Sequence, residues 1–161
     1  MDSTSIKKAA LEFLNEPERL TAVIGSCPAD GNAHVATVYY YVDTDFNFYF
    51  LTAANTQKYQ NLQENPNAAI VIGFGPSYTT MQGQGTTVLL AKASTEEREA
   101  IAHIKQRLQN HHNETWPIFQ LGAYDSESIA VFKLVPENLQ LLNLEHNSEL
   151  PVTTENVLQI L

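Results

Sequence analysis

The chain has 161 residues, 43% of them apolar, which suits one domain with a sizeable core and is too many for intrinsic disorder. Eighteen acidic residues against nine basic ones give a net charge of −9 with no basic cluster, which argues against nucleic acid and against anionic membrane surfaces as partners. Cys27 is the only cysteine, so neither an intrachain disulfide nor a cysteine-based zinc site is available, and with no apolar signal core and no run near the ~18 apolar residues of a membrane span the expectation is a soluble cytoplasmic protein.

In chain order, Ile6, Ala10, Phe13 and Leu14 recur at helical spacing after a serine cap and predict a helix over 5–15, ended before Pro17. Strands follow at 20–27, 33–42 and 47–52, joined by the turns Pro28–Asn32 and Asp43–Asp45 as a meander. A short helix at 56–64 stops before Asn65-Pro66. Strands are expected at 68–74 and 78–91, the second carrying Gly83 and Gly85 as signs of a bulge or a close approach. Ser94 followed by Glu97 has the capping-box pattern and opens a helix to about residue 110. An irregular stretch, 111–122, precedes two strands at 128–135 and 139–144, split at Pro136-Glu137, and the last residues give no clear signal. Six or so antiparallel strands with inserted helices predict an α+β, mainly β fold, a split or closed barrel in a single domain spanning 1–161.

The block from Asn47 to Asn67 carries the most chemistry. A strand ending in Leu51-Thr52 delivers a turn rich in hydroxyls and amides to a helix start, and Lys58 follows Thr56 and Gln57 there. Free N–H groups at a helix N-terminus attract anions, and the lysine adds a full positive charge, so the arrangement suits a phosphate. Thr52 and Thr56 also have ordinary roles as strand end and helix cap. Gln82 and Gln84 fall on one face of a regular strand. His111, His112 and Glu114 resemble a metal cluster only in composition: adjacent histidines project apart and no third ligand has matching spacing, so no metal is expected. Cys27 closes an apolar strand with nothing basic beside it and reads as an inert buried thiol. Tyr39, Tyr40 and Tyr41 place aromatics on both faces of one strand, as for a strand packed by the barrel on one side and a partner chain on the other. No nucleophile triad, carboxylate pair or P-loop stands out, so any chemistry would come from a bound cofactor.

The ordered series His34–Tyr40, Phe50-Leu51-Thr52, Thr56-Gln57-Lys58, Leu62-x-x-Asn65-Pro66 and Met81–Gly85 resembles the pyridoxamine 5'-phosphate oxidase-like family of FMN-binding split barrels over roughly half of the chain. The resemblance implies a six-stranded antiparallel split barrel with short flanking helices, and a homodimer with FMN at the interface. Thr37 and Val38 would run along the isoalloxazine edge, and Leu51 and Thr52 along the flavin and ribityl chain. Thr56, Gln57 and Lys58 would hold the phosphate. Thr80 and Gln82 would face the polar edge of the ring, and Trp116 would reach the partner subunit's flavin from its loop. The implied function is an FMN-dependent oxidoreductase acting on a small molecule. The chain departs from the oxidase pattern at Gln57, Val35 and Tyr40, where that enzyme has basic residues, and at Thr80, where it has a flavin-contacting glutamine. The C-terminal tryptophan and arginine pattern is missing as well. A true pyridoxamine phosphate oxidase is therefore not expected. The alternative is a non-catalytic sensor or carrier for flavin, haem or deazaflavin, or an empty barrel dimer.

Overall fold

The computed structural model describes residues 3–73, 79–110, 128–143 and 157–161. Its elements are α1 (Ser3–Leu14), β1 (Thr21–Ser26), β2 (His34–Val42), β3 (Phe48–Ala53), α2 (Gln57–Glu64), β4 (Asn67–Ile72), β5 (Thr79–Leu89), α3 (Thr95–Asn110), β6 (Ile129–Asn143) and β7 (Val157–Gln159). The strands hydrogen-bond in the order β3-β2-β1-β4-β5-β6-β7, and β3 also pairs with β6 from Phe48↔Leu134 to Ala53↔Ile129. That last pairing closes six antiparallel strands into a barrel, with β7 added on β6.

Alternation along the strands sets the inside. Ala22 and Ile24 of β1, Val38, Tyr40 and Val42 of β2, Phe48 and Phe50 of β3, and Ile70 and Ile72 of β4 all join one buried cluster. Phe50 stacks on Phe132 of β6 at 5.8 Å between ring centres, and Tyr59 of α2 meets Phe132 edge-on. Ala10, Phe13 and Leu14 of α1 and Leu62 of α2 pack into the same cluster. The other face of β3 and β6 lies beneath α3, where Tyr49, Leu51, Ile129 and Val131 meet Ala100, Ile104 and Leu108. Tyr39 and Tyr41 join that second cluster, and Tyr41 stacks on His103 of α3 at 4.2 Å. The outward tyrosines are thus half-buried against a helix of their own chain.

Arg107 ties the helices together. Its guanidinium donates to the carbonyls of Leu14 and Arg19 and to Asn15 Oδ1, and it lies 5.0 Å from the Tyr40 ring centre. Tyr40, inside the barrel, also donates its hydroxyl proton to the Leu14 carbonyl at 2.6 Å, and burial pushes its pKa up to about 12. At the start of α3, Ser94 Oγ accepts from Glu97 N–H and Glu97 reaches back to the Ala93 N–H, so the sequence's capping signal is realised with the return bond one residue earlier.

One expectation about the strands needs correction. The strands foreseen at 128–135 and 139–144 are one continuous strand, because Pro136 sits opposite Gly85 where the β5–β6 register shifts, and a bulge tolerates a residue with no N–H to give. A Cβ on Gly85 would collide with the Val135 carbonyl, which explains the glycine. The short β7 gave no clear signal in the sequence. The 111–122 stretch, with Trp116 and the paired histidines, lies outside the described residues.

Phe132 is 1% exposed at the crossing of the barrel walls. Phe132→Ala is expected to lose about 3–5 kcal/mol of unfolding free energy, read as a lower urea midpoint at unchanged slope.

Candidate functional site

The β3–α2 turn is built from the bottom by hydrogen bonds. Thr56 is the N-cap of α2, with extended backbone and its side-chain oxygen accepting from Tyr59 N–H at 3.3 Å. Its own hydroxyl proton goes to the Ala53 carbonyl at 2.8 Å. The Thr52 and Thr56 oxygens are 2.9 Å apart, so Thr52 donates to Thr56. Lys58 Nζ in turn donates to Thr52 Oγ1 at 2.8 Å. The result is a one-way chain, Lys58 to Thr52 to Thr56 to the Ala53 carbonyl.

Lys58 is 9% exposed, and among the described residues Thr52 is the only acceptor of its ammonium, with no carboxylate paired to it. An ammonium carries three N–H donors, so two remain without an acceptor in this set. The first turn of α2 has no acidic residue to neutralise the helix N-terminus. Burial lowers the Lys58 pKa from its ordinary value. A half-satisfied cation beside an uncompensated helix N-terminus has the charge and the donors that an anionic oxygen group needs.

A second set of bonds fixes α2 against the β1–β2 hairpin. Gln57 Nε2 donates to Asn61 Oδ1 at 2.8 Å, and Asn61 Nδ2 donates to Ser26 Oγ at 3.2 Å. Asn65 Nδ2 donates to the Cys27 carbonyl at 2.9 Å. Asn61 and Ser26 are both buried, and the sequence reading passed over them; the only signal was the i, i+4 spacing of Gln57 and Asn61.

The other expected site residues are dispersed. Thr37 is exposed on the outer face of β2, and the row Thr37↔Val23↔Val71↔Gln82 runs across four strands, so Thr37 and Gln82 share a face about 14 Å apart at ordinary strand spacing. The side chains of Val38 and Leu51 are packed away, Val38 inside the barrel and Leu51 beneath α3. Thr80 donates to the Gly73 carbonyl at the far end of β4, away from α2. Trp116 is outside the described residues. The chain therefore brings together Thr52, Thr56 and Lys58, with Gln57 alongside, and leaves Thr37 and Gln82 on an open sheet face.

A further polar cluster lies under α3. Tyr49 hydroxyl sits 3.0 Å from Glu96 Oε1 and 3.2 Å from Asp43 Oδ2, and Lys133 pairs with Glu96 at 2.9 Å. Burial, then the carboxylate neighbours, raises the Tyr49 pKa, while the hydrogen bond from Lys133 holds the Glu96 carboxyl below the usual range. Its one ion pair, Lys133 with Glu96, lies within the chain. Among the described residues no group of three or more His, Cys, Asp or Glu is placed to hold a metal, and no helix is long and apolar enough to cross a membrane.

The chain belongs to the pyridoxamine 5'-phosphate oxidase family, whose model matches residues 6–143. Among solved structures, the fold is similar to HutZ, the heme storage protein from Vibrio cholerae, with TM-score 0.66 and 18% identity over 82% of this chain and 91% of that one. It is also similar to General Stress Protein 26 from Bacillus anthracis, with TM-score 0.62 and 16% identity over 84% of this chain and 92% of that one. A heme binding protein from Mycobacterium smegmatis aligns with TM-score 0.63 and 13% identity over 87% of this chain and 53% of that one. At such identities the likeness establishes the fold. No curated protein matches the sequence.

The buried ammonium makes a stability prediction. With a depressed native pKa, the unfolded chain binds the Lys58 proton more tightly, so stability rises as pH climbs between the depressed value and the ordinary lysine value of about 10.4. At neutral pH the charged lysine costs stability. Lys58→Met is expected to be more stable than the wild type near neutrality, with the advantage narrowing through the alkaline range in denaturant midpoints. A constant gap across the pH series would mean that the ammonium is well solvated.

Proposed function

We propose that this protein binds FMN with the phosphate at the Thr52–Thr56–Lys58 turn and works as a homodimeric, cytoplasmic, flavin-dependent oxidoreductase on a small molecule. The observation that carries the reading is the buried Lys58 ammonium with Thr52 as its sole acceptor among the described residues. A phosphate oxygen would take the two remaining N–H groups and the free end of α2.

The residues fit the group in part. Lys58, Thr52 and Thr56 supply a cation, hydroxyls and a helix terminus. Gln57 adds an amide and no charge, and its side chain is already engaged with Asn61. Tyr40 faces the barrel interior and Val35 is exposed and apolar, so neither brings the phosphate a cation. The grip is thus one charge deep, which also argues against the pyridoxamine phosphate oxidase reaction itself. A bound flavin supplies reversible hydride acceptance, and the chain supplies the hold, the orientation and the exclusion of water.

The homodimer reading draws support from the sheet face that α3 leaves open. Val35, Thr37, Val23, Gly25, Ala69 and Val71 form adjoining cross-strand rows there, and Val35 is 70% exposed. A flat, mostly apolar face of this kind suits a second copy. Haem in place of flavin is the second reading, and it draws support from the heme proteins among the structural neighbours.

Flavin fluorescence titration tests the first reading. Micromolar or tighter FMN binding is expected, weakened at least about tenfold, or about 1.4 kcal/mol, in Lys58→Ala. No binding by the wild type would overturn it, and a Soret band on hemin titration would then favour haem. For the dimer, sedimentation equilibrium is expected to give two chains for the wild type and a weakened association for Val35→Glu; a monomeric wild type would remove the interface.

A further inference from the structure

α2 is held along two stripes. On one, Lys58 reaches Thr52 and Leu62 joins the barrel core. On the other, Gln57, Asn61 and Asn65 recur every fourth residue, and Asn61 and Asn65 bond to the end of β1 and the turn after it. We infer that Asn61 is a positioning residue for the Lys58 ammonium: through the Gln57–Asn61–Ser26 relay it sets the rotation of α2 that keeps Nζ turned inward on Thr52.

Burial is the first argument. Asn61 is 1% exposed and Ser26 5%. A buried amide is costly unless it is bonded, and here both of its ends are: Oδ1 accepts from Gln57 and Nδ2 donates to Ser26 Oγ. Apolar side chains in the same space would hold helix against hairpin without that requirement. What the amide adds is direction. Apolar contact is indifferent to orientation and lets a helix turn about its axis, whereas a hydrogen bond weakens steeply as it leaves line.

The scarcity of other constraints is the second. α2 has only eight residues, too few to hold its own shape in water. Lys58 follows Gln57 directly, so the turn that the relay anchors is the turn that carries the ammonium. Nζ itself is held by Thr52 alone among the described residues, and a buried ammonium gains by returning to water. Turning the first turn of α2 outward would release it. The relay, fixed at its far end to β1, resists that rotation. The Gln57 amide is thereby spent inside the protein, which leaves the anion grip to Lys58 and the two threonine hydroxyls.

The test reads Lys58 first without ligand, by NMR of its side-chain carbon and nitrogen through an alkaline titration. Burial lowers the Lys58 pKa in the wild type. In Asn61→Ala and in Ser26→Ala the midpoint is expected to rise toward the ordinary lysine value of about 10.4. Asn65→Ala removes the bond to the Cys27 carbonyl at the other end of α2. It is expected to lower the urea midpoint and to leave the Lys58 titration in place. The consequence for a ligand rests on the phosphate reading above: FMN affinity should fall about tenfold in Asn61→Ala and Ser26→Ala and hold in Asn65→Ala. A Lys58 midpoint unmoved by the loss of Asn61 or Ser26 overturns the positioning role, and so does an equal rise in Asn65→Ala. Should Asn61→Ala not fold, Ser26→Ala decides, since it deletes one hydroxyl and keeps both amides. A wild type that binds no FMN, with its Lys58 midpoint responding as expected, would overturn the phosphate reading alone and sustain the positioning role.

Discussion

The pairing of β3 with β6 is the constraint on which the rest depends. Without it the strands would form an open sheet with β3 at an unpaired edge, and edges of that kind invite association with other chains. With it, the alternation of side chains acquires an inside and an outside. Phe48, Phe50, Phe132 and Leu134 become a common core instead of one face of a ribbon. Closure also fixes where the helices go. The residue after Ala53 must leave the wall at a defined point, and α2 begins there, with the Thr52 hydroxyl inside the rim and within reach of the lysine that follows.

Much of this was legible in the sequence because the signals were local. The meander from β1 to β3 showed in its alternation and in the turns Pro28–Asn32 and Asp43–Asp45. The cap residues Thr56 and Ser94 marked their helices to within a residue. The reading failed where a distant partner decides. Pro136 looks like a break until Gly85 is placed opposite it, and β7 is a strand only because β6 offers it an edge. The three tyrosines of β2 illustrate the same limit. Their alternation was correct, but nothing local could say that α3, more than fifty residues on, covers the outer ones. For the candidate site, the cluster of Thr52, Thr56 and Lys58 was legible because it falls within seven consecutive residues. The roles of Ser26 and Asn61 were not, since they depend on how the hairpin meets α2.

Electrostatics separates the two polar clusters on the barrel. Around Tyr49, Glu96 is paired with Lys133, and Asp43 accepts hydrogen bonds from Tyr49 and Asn47. Around Lys58 the account stays open: the chain has twice as many acidic as basic residues, yet among the described residues no carboxylate is set against this buried ammonium. A buried charge left that way opposes folding, and a well-packed apolar side chain would serve the barrel better. The same imbalance is what prepares the turn for a negatively charged group, so at this one place stability and recognition pull in opposite directions.

The contacts of Arg107 bear on how the molecule opens. Its guanidinium, on the last turn of α3, is bonded to the carbonyls that end α1 and that precede β1, and it rests against a ring belonging to the barrel wall. Three segments far apart in the chain therefore share one set of donors. The N-terminal helix, which as an isolated twelve-residue segment would fray freely, cannot peel away without also releasing the tail of α3. The two helices are thereby coupled, and their adjoining ends are expected to trade hydrogen for deuterium together.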